Sequence, residues 1–147
     1  MSKVWFSPIS GNDNPDTVAE KVLQLFDAAG FSNLFHKDDL VAVKMHFGEQ
    51  NNTGHIKPAF IKPLLQRIKS YETKPYLTDT NTLYRGRRTN SVDHLMQAYD
   101  HGFSIENLGV PVIIADGLLS RNHRDVPIKG NHFDAVTIAN DIADSDV

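Results

Sequence analysis

Cysteine is absent from the 147 residues. Its absence excludes disulfides, thiolate zinc sites, cysteine nucleophiles and any thiolate-bound iron–sulfur cluster within them. Long apolar runs are lacking too. The longest near any strand, Val110 to Ala115, includes Pro111 and falls far short of the ~20 residues that span a bilayer. The opening Met-Ser-Lys-Val-Trp-Phe-Ser-Pro has no apolar stretch of the roughly 7–15 residues a signal peptide needs. The expectation is a cytoplasmic protein with no membrane partner. Neither sign of charge dominates, with 15 basic against 18 acidic residues and a net −3. No field of one sign calls for a nucleic-acid partner. A Walker loop, a G-x-S-x-G elbow and a G-x-G-x-x-G fingerprint are all missing, which weakens nucleotide-binding, serine-hydrolase and dinucleotide-binding readings.

What remains is ordinary globular composition, 40% apolar and 22% charged, in a chain of one domain's length. Val4-Trp5-Phe6 reads as a short strand. Asn14 and Pro15 are a cap and first position of a helix carrying Val18, Val22, Leu25, Phe26 and Ala29, closed by Gly30. Leu40 to His46 reads as a buried strand. Phe60, Ile61, Leu64, Leu65 and Ile68 form a second helical stripe, which starts at Pro58 with a distortion at Pro63, or near Lys62. Pro75 to Asp79 is a third strand. Thr89 or Asn90 caps a third helix whose apolar face is Val92, Leu95, Met96 and Tyr99, ended by Gly102. Pro111 to Gly117 is a fourth strand, Val126-Pro127-Ile128 a short edge segment and Phe133 to Ala139 a last strand. Strands alternating with helices predict a three-layer α/β domain, a mostly parallel sheet with helices on its faces. It spans 1–147. The segment from Asn140 to Val147 looks like a connection leading onward, which suggests an incomplete domain, the N-terminal part of a longer protein. An unpaired strand edge or exposed apolar patch is then expected, through which the chain could form a homodimer.

Ligands in open α/β sheets bind outside the carboxyl ends of the strands. Those ends carry Lys44, His46 and Glu49; then Asp79, Thr80 and Asn81; then Asp116. His46, Asp79 and Asp116 should therefore gather at one sheet edge, within about 15 Å, the span of a modest pocket. Lys44 and His46 share a strand face. With Glu49 they form either a proton-transfer group or part of a metal site. The plain alternative is a strand end surfacing into solvent, Glu49 pairing Lys44. His46, Glu49 and His55 could ligate a divalent metal, though no strong metal spacing is present. Arg85, Arg87 and Arg88 stand just before a helix, which suits an anion such as phosphate or a carboxylate, or is simply a solvated basic turn. His94 and His101 lie opposite the third helix's apolar stripe, which places them toward solvent.

Val43-Lys44-Met45-His46-Phe47-Gly48-Glu49, Thr53 to Pro58, and Leu77 to Arg88, followed by Asp93-His94-Leu95 and Val112 to Gly117, resemble in that order the uncharacterised iron–sulfur protein family, domain of unknown function 362. The resemblance covers roughly Val4 to Val147. It implies a longer protein with a further strand and a ferredoxin-like segment bearing a 4Fe–4S cluster, neither of which is in this sequence. It implies no reaction. Within the matched motifs it singles out His46, Glu49, Asp79, Tyr84, Arg87, Asp116 and His94. Two functions follow as expectations. One is a redox-linked ligand-binding or catalytic domain, with Lys44, His46 and Glu49 catalytic and Asp79, Thr80, Asn81, Tyr84, Arg87, Arg88, His94 and Asp116 binding an anionic small molecule. The other is a scaffold that docks a ferredoxin module or protein partner. A divalent-metal enzyme acting on an anionic molecule is a further alternative.

Overall fold

The computed structural model describes residues 3–147. Three parallel strands, β1 (Leu40–Lys44), β2 (Lys74–Asp79) and β3 (Val112–Ile114), form a sheet in the order β1-β2-β3. Helix α1 (Pro15–Ala29) precedes β1, α2 (Pro58–Lys69) joins β1 to β2, and α3 (Ser91–Asp100) with a short α4 (Ile105–Leu108) joins β2 to β3. Because the strand order runs one way, right-handed crossovers must place α2, α3 and α4 on the same face. The core confirms it: Ile61 and Leu65 of α2, Ala98 of α3 and Leu108 of α4 pack with Leu77 and Ile114 in one cluster. On the other face, the Tyr76 hydroxyl of β2 donates to the carbonyl of Asp141 at 2.8 Å, in the short helix α5 (Asn140–Ala143). The expected mixed α/β layering, a parallel sheet flanked by helices, is what forms.

The first helix obeys its sequence signals. Asn14 accepts from the Thr17 amide at 2.9 Å, and Gly30 closes the helix at φ 74°. Helix α2 starts at Pro58, and Pro63 lies inside it, so the Ala59 carbonyl loses its helical donor. Two expectations are corrected. Val4-Trp5-Phe6 is not a strand; the segment has no regular structure and its side chains are exposed. The last two strands do not join the parallel sheet. Instead β4 (His123–Pro127) and β5 (Ala135–Ala139) pair antiparallel in a separate two-stranded sheet. An arm of two strands has little to bury on either side, and most of it is exposed.

The edges of the main sheet differ. Along β1, the Val147 amide donates to the Leu40 carbonyl at 3.3 Å, and the Ala42 amide donates to the Val147 carbonyl at 2.8 Å, the bond pattern of a parallel pair. β3 pairs with β2 alone, so its outer edge is unpaired within the sheet. No helix among the described residues is long and apolar enough to cross a membrane.

Candidate functional site

Parallel strands end on the same side, and here Lys44, Asp79 and Ile114 stand at the carboxyl edge. Two loops rise from it, residues 45–57 after β1 and 80–90 after β2. The guanidinium of Arg88 joins them. It is 3% exposed, with Nη1 on Asp79 Oδ2 at 3.0 Å and Nε on Glu49 Oε1 at 2.9 Å. Nη2 also reaches Glu49 and donates to the Tyr84 hydroxyl at 2.6 Å, and that hydroxyl in turn donates to Glu49. A buried cation with two carboxylates is tolerable only when bonded this fully. So Arg88 is consumed inside the site and offers no free fork to an anion. Glu49, bonded first by Arg88 and then by Tyr84, has its carboxyl held below the ordinary range, while the same bond raises the Tyr84 phenol.

Asp79 is 4% exposed. Burial alone would raise its carboxyl, but the His94 imidazole, the Thr80 amide at 3.0 Å and the Lys44 ammonium leave it below its usual value. Lys44 Nζ lies 3.5 Å from Asp79 Oδ1, so it turns to Asp79 rather than to Glu49. Thr80 contributes its backbone, not its side chain. Asp116 closes the loop from the β3 side, accepting from the amide and the side chain of Asn81, each at 3.0 Å. Its oxygens are thereby committed to Asn81. His46, Asp79 and Asp116 thus belong to one edge, as the strand ends require.

His94 contradicts the solvent-facing expectation. It is fully buried, edge-on to Phe47, with Nε2 3.6 Å from Asp79 Oδ2. That separation is too long for a hydrogen bond, and neither ring nitrogen has a hydrogen-bond partner. The whole helix is inverted relative to its pattern. Val92, Leu95, Met96 and Tyr99 are exposed, while His94, Gln97 and Ala98 are buried.

His46 Nδ1 accepts the Gly48 amide at 2.9 Å. An uncharged ring therefore carries its proton on Nε2, which faces Glu49 Oε1 at 4.0 Å. Burial first, then the nearby Arg88 charge, lowers its pKa. The ring is half-exposed and borders a cavity of about 320 Å³ shared with Asn52, Gly54 and His55. His55 shares that cavity with His46, but its ring is taken up elsewhere. It stacks on His101, centroids 4.1 Å apart and planes 2° apart. Among the described residues no three His, Cys, Asp or Glu side chains are grouped so as to hold a metal ion. A thiolate-held iron–sulfur cluster does not fit here either, because the chain has no cysteine.

The stack lies over Gly48, at φ 89°. A Cβ there would come within 2.5 Å of His101 Nδ1 and 2.8 Å of the His55 ring, so no other residue fits. His101 Nδ1 donates to the Phe47 carbonyl at 2.8 Å, and the Gln97 amide group lies 3.0 Å from His101 Nε2. Arg87 Nη1 donates to Gln97 Oε1 at 3.2 Å and to Asp100 Oδ2 at 2.7 Å. His55, Arg87, Gln97, Asp100 and His101, with Lys57, line a second cavity of about 600 Å³. Lys57, Gln97, Asp100 and His101 were not among the expected site residues. The signal was the polar row Gln97–His101 at helical spacing, legible only once that face is known to point inward.

No curated protein and no solved structure matches the chain. Residues 41–147 match a family described as a domain of unknown function, DUF362. That stretch holds all of β1 after Leu40, both loops and every polar residue of the carboxyl-edge site, and on it the chain belongs to the DUF362 family.

Proposed function

We propose that this domain binds a small polar molecule at the carboxyl edge of its sheet and moves a proton on it through His46. Lys44 and Glu49 are the charged groups beside the imidazole, and the Asp79–Arg88 pair is the rigid base that holds them. The observation that carries the reading is the mounting of His46: one nitrogen occupied by a backbone amide, the other facing a carboxylate, the ring half-exposed at a cavity. A fixed tautomer and a pKa lowered below the ordinary imidazole value leave an uncharged ring at neutral pH whose Nε2–H is the proton it can give to a substrate oxygen, as a general acid. Asp79, Asn81, Tyr84 and Asp116 shape the loops around it. On the strength of the sequence resemblance, the site works with a ferredoxin-like iron–sulfur module supplied outside these residues.

The test is solvent-deuterium exchange. A panel of small carbonyl and hydroxy acids is incubated in D₂O with the protein, and deuterium uptake at carbon is read by NMR. Uptake that disappears in His46→Ala, with binding retained, is the expected result. A panel member that binds beside His46 and exchanges no faster than in buffer argues against proton transfer.

A docking scaffold is the second reading, favoured by one observation. Leu95, Met96 and Tyr99 of α3 stand exposed beside Phe103 and Val112 around a shallow apolar cavity of about 380 Å³. Under that reading an added ferredoxin shifts the amide signals of α3 and leaves those of residues 46–55 in place.

A further inference from the structure

We propose that the larger cavity, bordered by His55 and His101, is an oxyanion subsite in which Lys57 and Arg87 grip a carboxylate or phosphate group. It deepens the function proposed above, resting on it only for the claim that the loop edge takes a small molecule, and it names that molecule's class as a small oxyacid. Neither cation is used by the proton-transfer group.

Charge comes first. The cavity of about 600 Å³ is lined by two permanent cations, Lys57 and Arg87, against the single carboxylate of Asp100. Asp100 already spends Oδ2 on Arg87 at 2.7 Å. Donors also outnumber acceptors. Arg87 is pinned through Nη1 by Asp100 and by Gln97, which is 1% exposed. Its Nη2 and Nε have no partner among the described residues. Lys57 Nζ donates to the Thr53 carbonyl at 2.7 Å and faces His55 Nε2 at 3.4 Å, which leaves the third N–H of the ammonium for an anion.

The two imidazoles do not spoil this balance. His55 Nδ1 donates to the Asn52 carbonyl at 2.9 Å and His101 Nδ1 to the Phe47 carbonyl at 2.8 Å. Their other nitrogens face donors, His55 Nε2 the Lys57 ammonium at 3.4 Å and His101 Nε2 the Gln97 amide at 3.0 Å. Neither ring leaves an unanswered lone pair to repel an anion. The stacked rings make a flat wall fixed against Gly48, so the cavity is built before a ligand arrives. His55 and Asn52 line both cavities. A ligand whose oxyanion sits on Arg87 and Lys57 can therefore extend past them toward His46.

The experiment titrates the intact isotope-labelled chain with inorganic phosphate and with acetate at constant ionic strength. The readouts are the Arg87 side-chain N–H signals and the pH titration of His55. The His55 pKa is lowered by burial, and the Lys57 and His101 charges lower it further; an anion seated beside it moves that titration upward. Expected are saturable shifts with at least one probe. Lys57→Gln and Arg87→Gln should each weaken binding about tenfold, the loss of one charge-assisted contact, and His46→Ala should leave it within about twofold, as for a group outside the contact. Lys57→Gln alters a side chain bonded only to loop groups, so it reports even where Arg87→Gln disturbs α3. No saturable response to either probe overturns the subsite. So does an equal response in the double variant, which marks general surface charge. Phosphate or acetate binding that survives alongside failed deuterium exchange leaves the subsite standing and removes only the proton-transfer reading.

Discussion

Helices α2 and α3 each leave one strand of the sheet and lead to the next, each has an apolar stripe, and they turn opposite sides to the protein. In α2 the stripe faces in: Ile61, Leu65 and Ile68 are buried. In α3 it faces out, and His94, Gln97 and Ala98 are buried instead. The anchors at the helix starts account for the difference. Two residues before its cap, α3 is tied by Arg88 to Asp79 and Glu49. Asn90 then caps it through the Asp93 amide at 3.0 Å, and the Ser91 amide donates to the Leu118 carbonyl at 3.1 Å. These bonds set the rotation of the helix before any side chain of its stripe can choose a side. Helix α2 begins after Lys57 with no side-chain cap bond, so apolar burial sets its rotation. An amphipathic pattern says that a helix has two faces; it does not say which one meets the core.

The largest test of that comparison is Arg88→Met. It leaves Asp79 and Glu49 without their shared cation and should cost about 3–5 kcal/mol, the usual result of breaking a buried ion pair from one side. Urea denaturation measures it, and hydrogen exchange should find α3 the most weakened element. A loss under about 1 kcal/mol, the scale of an ordinary substitution, would mean that something other than Arg88 holds the helix in its rotation.

Next comes the pair Leu65→Ala and Leu95→Ala. Leu65 of α2 is fully buried, so its truncation should cost about 2–5 kcal/mol. Leu95 of α3 is 38% exposed and should cost under about 1 kcal/mol. Equal losses would show that the outward stripe of α3 is covered in solution.

The smallest effect is in acid. Glu49 and Asp79 have native pKa values below their ordinary ones, as do His46 and His55. The unfolded chain therefore binds more protons than the native one across those intervals, and stability rises with pH through them. Chemical denaturation should give a plateau above about pH 7, a decline beginning near pH 6.5 from the imidazoles, and a further loss below about pH 4 from the carboxylates. Arg88→Met should lose the Glu49 part of the step near pH 4, since Glu49 no longer has the guanidinium that favours its charged form, while Asp79 keeps His94, the Thr80 amide and Lys44. Stability that increases on acidification would contradict this assignment.

The elements around the site were legible to different degrees. Asn14, Pro15 and Gly30 marked α1 because caps act within one turn, where sequence neighbours are spatial neighbours. Lys44, His46, Glu49, Asp79 and Asp116 were legible as one edge because parallel strands must end together. The pairing of Arg88 with Asp79 and Glu49 was not, since Glu49 and Arg88 come from different crossovers. His55 was read with His46, nine residues away, and instead stacks on His101, which comes from a helix beyond β2. Val4 to Phe6 has the residues of a strand but no neighbour to pair with, and a strand cannot exist alone.

By itself the sequence determined the parallel α/β layout, the closures of its helices and the polarity of the loops after β1 and β2, all consequences of local periodicity and caps. Tertiary structure alone decided which face of α3 meets the core, that Arg88 is spent on two carboxylates and not on a ligand, and that Gly48 must stay bare beneath two histidines. These depend on contacts between segments tens of residues apart, where the winning arrangement is the one that leaves no buried charge unpaired.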